Sequence, residues 1–343
     1  MLTCKERDLL LSRQVAIIEE ILKSLRRIEA KLDHLPAGRP RKVELPSLKP
    51  LITQQTIGVA APTAGLSDEN EAMAEEDVEF LCEALRCLGF TVDQVRPSFE
   101  QTEELNKLAA YIGEHWEIFR SLWMDFKRAL QGRGGVAKKV GNYAPVDVSY
   151  ICNLCTRMRD FAFLTSYTYR KAPHFFLQAS ISQMPPAQSF IGGEWFERFL
   201  LTEVKAALDA YCAPRNVTKK LRYINDTVVI LPNQKGAEMD IFCEIDGLYF
   251  WLEAKTGDYQ QHVEKYDCMA KSLHLPAKQV MVVILDLPET ACRLLTQTYS
   301  HLTVLNQYLV RPTITQLFID SFGEIERPAE VFDVSSDSET PSE

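Results

Sequence analysis

Hydrophobic side chains near the start of the sequence recur at alternating steps of three and four residues. Within residues 9–35, seven of eight such positions are apolar, and Gln14 is the polar exception. This heptad pattern is typical of a coiled coil, in which a helix buries its apolar stripe against a neighbouring helix. We therefore predict a coiled-coil helix over residues 1–35 that joins copies of the chain into a homo-oligomer. A single amphipathic helix that packs on the body of the protein is the alternative.

Two polar segments interrupt the apolar pattern. Pro36 ends the helical repeat, and residues 36–75 are rich in proline and small side chains, which predicts a flexible linker. Residues 324–343 contain seven acidic side chains and one arginine, and this composition predicts a disordered acidic tail. We expect the tail either to dock a basic protein partner or to screen a basic groove.

Residues 76–131 return to helical spacing, with apolar and aromatic side chains on one face of a long helix. A further helical pattern covers 146–164. Two strand-like runs then surround a turn at 164–181, an arrangement similar to the end of a winged helix. We predict a helical domain over 76–185 that ends in a winged-helix-like hairpin.

From Gly192 onward the pattern becomes regular. An amphipathic helix precedes three strands, a helix, a continuous apolar run at 279–287, another helix and a short strand. A strand that is apolar on both faces is typical of the centre of a sheet that helices cover on both sides. We predict an α/β domain over 186–323 with the order αβββαβαβ and a mixed central sheet.

Composition and charge narrow the class of protein. The 343 residues are 46% hydrophobic, which permits a large core, and no apolar run is long enough for a transmembrane helix. The charged N-terminus lacks the pattern of a signal peptide, so we expect a cytoplasmic protein. The tail contributes −6 of the net charge of −9, which leaves −3 for residues 1–323. A nearly balanced body is compatible with a local basic groove for nucleic acid.

Three charged residues lie inside the apolar strands: Asp240, Glu253 and Lys255. Residues two apart in a strand share a face, so Glu253 and Lys255 point the same way. If the strands pair around a turn at Asp246–Gly247, Asp240 lies opposite Glu253. Adjacent carboxylates repel each other unless a cation lies between them. Mg²⁺ (or Mn²⁺) binds one or two protein carboxylates and keeps waters and substrate phosphates as its other ligands.

The same residues have a simpler interpretation. Asp240 would pair with Lys255 at a sheet edge, and Glu253 would lie on a solvated face. The apolar and aromatic run at 249–252 makes an exposed face costly, however, and buried acids need a partner. We therefore favour a metal site in which the lysine orients or deprotonates a water, or stabilises charge on phosphorus.

An aspartate followed about a dozen residues later by Glu-x-Lys on an apolar strand resembles the PD-(D/E)XK, or restriction-endonuclease-like, nuclease superfamily. The segment EMDIFCEIDGLYFWLEAKTG carries the resemblance, which extends over roughly 192–306 together with the order of elements. This part is also similar to the nuclease modules of CRISPR accessory proteins that cyclic oligoadenylates trigger. The nucleotide-sensing α/β domain of those proteins has no counterpart in the N-terminal half of the sequence.

The resemblance implies roles for individual residues. Asp240 and Glu253 would hold the metal ion, and the carbonyl of Ala254 would be a further ligand. Lys255 would position the attacking water. In the first helix, GGEWFERFLLTEV, Glu197 would act through the water shell of the metal.

Two features of the sequence complicate the match with that superfamily. Glu194 competes with Glu197 for the role in the first helix. Some members carry a glutamine and a tyrosine four residues apart after the lysine, whereas Gln261 and Tyr266 are five apart here. The resemblance therefore assigns these two residues no role.

The sequence thus predicts an α/β nuclease core preceded by a helical domain and an N-terminal coiled-coil helix. Its expected activity is metal-dependent hydrolysis of phosphodiester bonds in DNA or RNA. Two alternatives belong to other classes: a catalytically inactive nuclease-fold scaffold, and a regulator that binds nucleic acid through the hairpin at 164–181.

Overall fold

The computed structural model describes residues 74–95, 103–132, 134–232, 234–257 and 259–323. The predicted coiled-coil helix (1–35), the acidic tail (324–343) and all but the last two residues of the predicted linker lie outside these ranges. Those three assignments stay predictions.

The described residues from Glu75 to Ile181 form both helices and short strands. In chain order they form α1 (Glu75–Cys87), β1 (Thr91–Val95), α2 (Glu103–Glu114), α3 (Trp116–Gly132), β2 (Gly135–Lys139), α4 (Pro145–Asp160), β3 (Leu164–Arg170) and β4 (Phe176–Ile181).

The remaining elements contain the order that the sequence pattern predicts, with a short helix and a π-helical turn before it and one further helix after it. A short α5 (Pro185–Ser189) and one π-helical turn (Phe190–Glu194) lead into α6 (Trp195–Cys212). The chain continues through β5 (Leu221–Ile230), β6 (Gly236–Ile245), β7 (Leu248–Lys255), α7 (Val263–Leu273), β8 (Val280–Ile284), α8 (Glu289–Thr298), β9 (Thr303–Leu305) and α9 (Val310–Phe322). From α6 to β9 this is one helix, three strands, and then alternating helices and strands.

A mixed six-stranded sheet forms the centre of this part of the chain. Its strand order is β1-β5-β6-β7-β8-β9. The pairs from β1 to β7 are antiparallel, whereas β8 pairs in parallel with β7 on one side and with β9 on the other. The predicted α/β fold with a mixed central sheet is therefore confirmed.

Apolar clusters cover both faces of the sheet. The α6-side cluster includes Phe250 and Leu252 of β7, and the α7-side cluster includes Trp251 between them, as strand alternation requires. All five residues of β8 are buried and enter the two clusters in turn. The continuous apolar run in the sequence has this cause, because a central strand must be apolar on both faces.

The segment that the pattern assigned to a helical domain, 76–185, supplies strands as well as helices. The predicted pair of strands at 164–181 forms β3 and β4, and β2 adds to them in a second sheet of order β2-β4-β3. The pattern missed β1, whose five residues are too few for their alternation to be recognised. The strand forms because it pairs antiparallel with β5 at the edge of the main sheet.

Aromatic side chains join the helices of this segment to α6. The rings of Trp123 and Trp195 lie 5.4 Å apart at an angle of 62°, and Trp116 stacks on Trp195 at 5.0 Å. The described residues on both sides of the predicted boundary at 185/186 belong to one compact unit, Ser67–Glu343. The boundary between the two predicted domains stays a prediction.

Candidate active site

A tight hairpin sets the positions of the two acidic strand residues. Asp246 and Gly247 connect β6 to β7 with φ angles of 48° and 85°, and two positive φ angles are typical of a type I′ turn. The turn fixes a register in which Ile241 pairs with Leu252. The next residues along the two strands are Asp240 and Glu253. They therefore lie opposite each other, on the face that carries Trp251.

Lys255 joins the two carboxylates. Its Nζ lies 2.7 Å from Oε1 of Glu253 and 3.4 Å from Oδ2 of Asp240. The same Oδ2 of Asp240 accepts a hydrogen bond of 2.7 Å from the backbone N–H of Ala254. The structure thus brings Asp240, Glu253, Ala254 and Lys255 into one hydrogen-bonded group at the end of the paired strands.

Burial governs the protonation of this group. Glu253 is 2% exposed and Asp240 is 7% exposed. Burial, and then the neighbouring charge of Asp240, raise the pKa of Glu253 to about 8, although Lys255 opposes the shift. Burial also raises the pKa of Asp240. For Lys255, burial favours the neutral form, but the two carboxylates outweigh it and raise the pKa of the ammonium above its usual value.

Tyr266, to which the resemblance gave no role, lies against this group. It is on α7, and its ring centroid lies 5.2 Å from Nζ of Lys255. Burial, together with the charge of Glu253, raises the pKa of the Tyr266 hydroxyl. The tyrosine therefore stays protonated at neutral pH and can donate a hydrogen bond within the site.

Glu197 approaches the site from the first turn of α6. Burial raises its pKa well above the usual range, and the charges of Asp240, Asp226 and Glu194 add to the effect. The competing residue, Glu194, is bound to Arg198, whose Nε and Nη2 lie 2.7 Å and 2.6 Å from its Oε1. Because an arginine already neutralises Glu194, Glu197 is the better candidate of the two.

Sequence reasoning missed Asp226. The register between β5 and β6 pairs Asn225 with Ile241 and Thr227 with Met239, so Asp226 lies opposite Asp240. Asp226 has a φ of 48° inside the strand, a left-handed conformation that aspartate adopts more readily than most residues. Beside it, the buried side-chain amide of Asn225 has no hydrogen-bond partner among the described residues. The polar pair Asn-Asp within an apolar strand was the available signal.

The donor set can be compared with the needs of a divalent cation. Among the described residues, no three His, Cys, Asp or Glu side chains are grouped closely enough to hold a metal ion. Mg²⁺ does not require three, because it binds one or two carboxylates and keeps several waters. Asp240 and Glu253 supply two adjacent carboxylates with raised pKa values, and a divalent cation would favour their charged forms. The residues therefore fit Mg²⁺ or Mn²⁺ as a two-carboxylate site.

None of the helices in the described part of the chain combines the length and the apolarity that spanning a bilayer requires.

No protein-family model and no curated protein matches the chain. Several solved structures are similar to part of it, and they include the following two. Protein VC1899 from Vibrio cholerae is 14% identical with a TM-score of 0.45, over 71% of this chain and 62% of that chain. Can2 from Sulfobacillus thermosulfidooxidans, in complex with cyclic tetra-adenylate (cA4), is 11% identical with a TM-score of 0.44, over 68% of this chain and 60% of that chain. This chain spans less than two thirds of either structure, and neither similarity assigns it a function.

Proposed function

We propose that this protein is a metal-dependent nuclease that hydrolyses phosphodiester bonds of DNA or RNA. One observation carries the proposal: the buried carboxylates of Asp240 and Glu253 and the half-buried ammonium of Lys255 form a hydrogen-bonded group on paired strands. Burying two acids and a lysine costs free energy that three apolar residues would avoid. Their retention is explained if the group performs chemistry.

Each residue has a role in this proposal. Asp240 and Glu253 hold Mg²⁺ or Mn²⁺, with the carbonyl of Ala254 as a further ligand. The ion, when bound, supplies a Lewis acid for the phosphate oxygen and lowers the pKa of a bound water. The two carboxylates must be ionised to hold the ion. The raised pKa of Glu253 therefore lowers the affinity of the site for the metal ion at low pH.

Lys255 acts as a donor rather than as a base. Its carboxylate neighbours raise its pKa, so the side chain remains an ammonium at neutral pH. An ammonium at this position orients the attacking water and stabilises negative charge that develops on the phosphate. It does not remove a proton from the water in this protonation state.

Glu197 and Asp226 complete an acidic rim around Asp240. The raised pKa of Glu197 means that its carboxyl group carries a proton more readily than an ordinary glutamate does. We assign to Glu197 the positioning of water near the metal, and to Asp226 a charge that sustains this shift. A carboxyl group with a raised pKa is better suited to exchanging protons with water than an ordinary glutamate is.

The proposal includes partners outside the site. Nucleic acid is the substrate, residues 1–35 join the chain into a homo-oligomer, and the tail at 324–343 docks a basic protein. The cytoplasmic location also belongs to this proposal.

The test is cleavage of single- and double-stranded DNA and RNA by the full chain. We expect cleavage with Mg²⁺ or Mn²⁺ and none with EDTA. Asp240→Asn and Glu253→Gln, which keep the shape of each side chain, should reduce the rate by roughly a hundredfold or more. The matched control is Glu244→Gln, a buried acid on the same strand as Asp240 that is bound to Arg222 away from the site.

Two results would count against the proposal. If the wild-type chain cleaves none of the four substrates with either metal, the inactive scaffold replaces the nuclease. If Asp240→Asn cleaves as fast as the wild type while Glu244→Gln also does, the site has been placed on the wrong residues.

A further inference from the structure

A second lysine, Lys127 on α3, reaches the end of the strand that carries the candidate site. Its Nζ donates to Oγ1 of Thr256 at 2.9 Å and lies 3.4 Å from the Thr256 carbonyl oxygen. Thr256 directly follows Lys255 in the chain. Packing of α3 therefore brings a cation from 129 residues away to the edge of the candidate site.

This cation differs from the other partly buried cations near it. Arg198 is paired with Glu194, and Lys255 is paired with Glu253. For Lys127, by contrast, no carboxylate of the described ranges lies within 4.0 Å, and its partners there are a hydroxyl and a carbonyl. Burial lowers the pKa of the Lys127 ammonium, and no acidic neighbour in the described ranges offsets that shift. A half-buried cation that has no carboxylate partner among the described residues suits a position that receives an anion, because burying an unpaired charge is costly.

The surface beside Lys127 leaves room for such an anion. The hydroxyl of Thr256 donates to the carbonyl of Gly192 at 3.3 Å. The glycine pair Gly192–Gly193 therefore borders Lys127. Among the described residues, a Cβ atom added to Gly192 would meet no atom within 4 Å, and one added to Gly193 would meet only the Thr256 hydroxyl at 3.9 Å. The border is therefore bare backbone that faces open space.

We propose that Lys127 and Thr256 form a phosphate-binding subsite that holds the nucleic-acid backbone next to the phosphodiester that is cleaved. The inference rests on the proposed function, because it places the reacting phosphate at Asp240 and Glu253. A separate anion position favours a polymer over a mononucleotide, since only a polymer supplies a second phosphate. Thr256 is a positioning residue: its hydroxyl accepts from Lys127 and donates to Gly192, which fixes the direction of the ammonium.

The experiment measures binding apart from cleavage. A fluorescent single-stranded oligonucleotide is titrated with the full-length Glu253→Gln chain in EDTA, and the same titration is repeated with Lys127→Met added. We expect affinity to fall about tenfold, as for loss of one charge-assisted hydrogen bond. The slope of log affinity against log salt should become shallower by about 0.7, as for one phosphate contact with a single strand.

Two further variants separate the geometry from the charge. Thr256→Val keeps the lysine but removes the hydroxyl that directs it, and should give a smaller loss of affinity with an unchanged salt slope. Lys271→Met removes one exposed lysine from α7 and changes the net charge by the same amount. It should leave both affinity and salt slope unchanged.

The outcomes distinguish this inference from the proposed function. If Lys127→Met binds as tightly as its parent, with the same salt slope, or if Lys271→Met weakens binding equally, the subsite does not exist. Absence of binding by every variant has the same meaning. If Lys127→Met loses affinity while the wild-type chain cleaves nothing, the subsite stands and the nuclease proposal fails. Melting temperatures exclude misfolding, because replacing a half-buried charge by methionine should not lower stability.

Discussion

Nζ of Lys255 lies 2.7 Å from Oε1 of Glu253, so a buried carboxylate is held in contact with a half-buried ammonium on the same face of one strand. The two residues are separated only by Ala254, whose N–H binds Asp240. The tripeptide Glu-Ala-Lys therefore contributes an acid, a backbone donor and a cation within a single β-strand period. Four predictions follow from this arrangement and from the chain around it.

Stability without a metal ion should depend on the protonation of Glu253. Its pKa is raised to about 8 in the folded chain, above the value of 4.5 expected when unfolded. A raised pKa contributes stability that is complete below pH 4.5 and is lost as the pH rises through about 8. Replacement by glutamine removes this dependence. In EDTA, the melting temperature of Glu253→Gln relative to wild type should therefore increase between pH 5 and pH 9. A difference that stays constant over this range would contradict the raised pKa.

Divalent cations should stabilise the folded chain, and more strongly at high pH. Mg²⁺ or Mn²⁺ at Asp240 and Glu253 competes with protons, so the rise in melting temperature at pH 8 should exceed the rise at pH 6. Asp240→Asn should lose most of the rise, while Glu244→Gln should keep it. The measurement is thermal unfolding with added Mg²⁺ and then with EDTA. An equal rise in wild type and Asp240→Asn would place the bound ion elsewhere.

Removal of the Lys255 ammonium should separate metal binding from turnover. Lys255→Ala should lower cleavage by roughly a hundredfold or more, because charge on the phosphate is no longer stabilised. It should retain or strengthen the affinity for Mg²⁺, since the cation that competes for both carboxylates is gone. Calorimetric titration with Mg²⁺ and cleavage assays on the same preparation test both statements.

Lys265→Ala is the control for the preceding change. Lys265 also directs its ammonium towards the Tyr266 ring, at 5.7 Å, but it makes no ion pair with the acids of the site among the described residues. It should cleave at the wild-type rate. Loss of Mg²⁺ binding in Lys255→Ala would instead show that the lysine is needed to assemble the carboxylates.

Self-association should depend on the N-terminal segment. A lone helix of this length is marginal in water unless its apolar stripe is covered. Deletion of residues 1–36 should therefore lower the molar mass measured by light scattering at micromolar concentration. Deletion of 324–343, an acidic segment without the heptad pattern, should leave the mass per particle unchanged apart from the residues removed. A full-length chain that is already monomeric would contradict the prediction.

The order of elements from α6 to β9 could be predicted because the helices and the strands β5 to β7 are long enough to show their own period, and the short strand β8 is marked by a continuous apolar run. The alignment of Asp240 with Glu253 could also be predicted, since Asp-Gly at 246–247 is a typical sequence for a two-residue hairpin turn. β1 could not, because five residues at a sheet edge take their conformation from β5. The fold class could therefore be predicted from the local sequence pattern, whereas the edge strand β1 could not.

The remaining parts of the candidate site depend on packing between distant segments. Lys127 meets Thr256 across 129 residues, and nothing in either local pattern indicates the contact. Asp226 becomes a neighbour of Asp240 only through the β5–β6 register. Tyr266 has the spacing of an ordinary core residue on α7 and is buried. The sequence pattern therefore did not indicate that its ring contacts Lys255.

The hairpin tip at Asp246–Gly247 sets the alignment of Asp240 and Glu253, each of which lies six residues from it along its strand. Because side chains alternate along a strand, sliding β6 past β7 by one residue would present the partner of Glu253 to the opposite side of the sheet. A single residue inserted at this tip would keep all the side chains of the candidate site in the sequence. It would nevertheless separate Asp240 from Glu253, because the register between β6 and β7 would change.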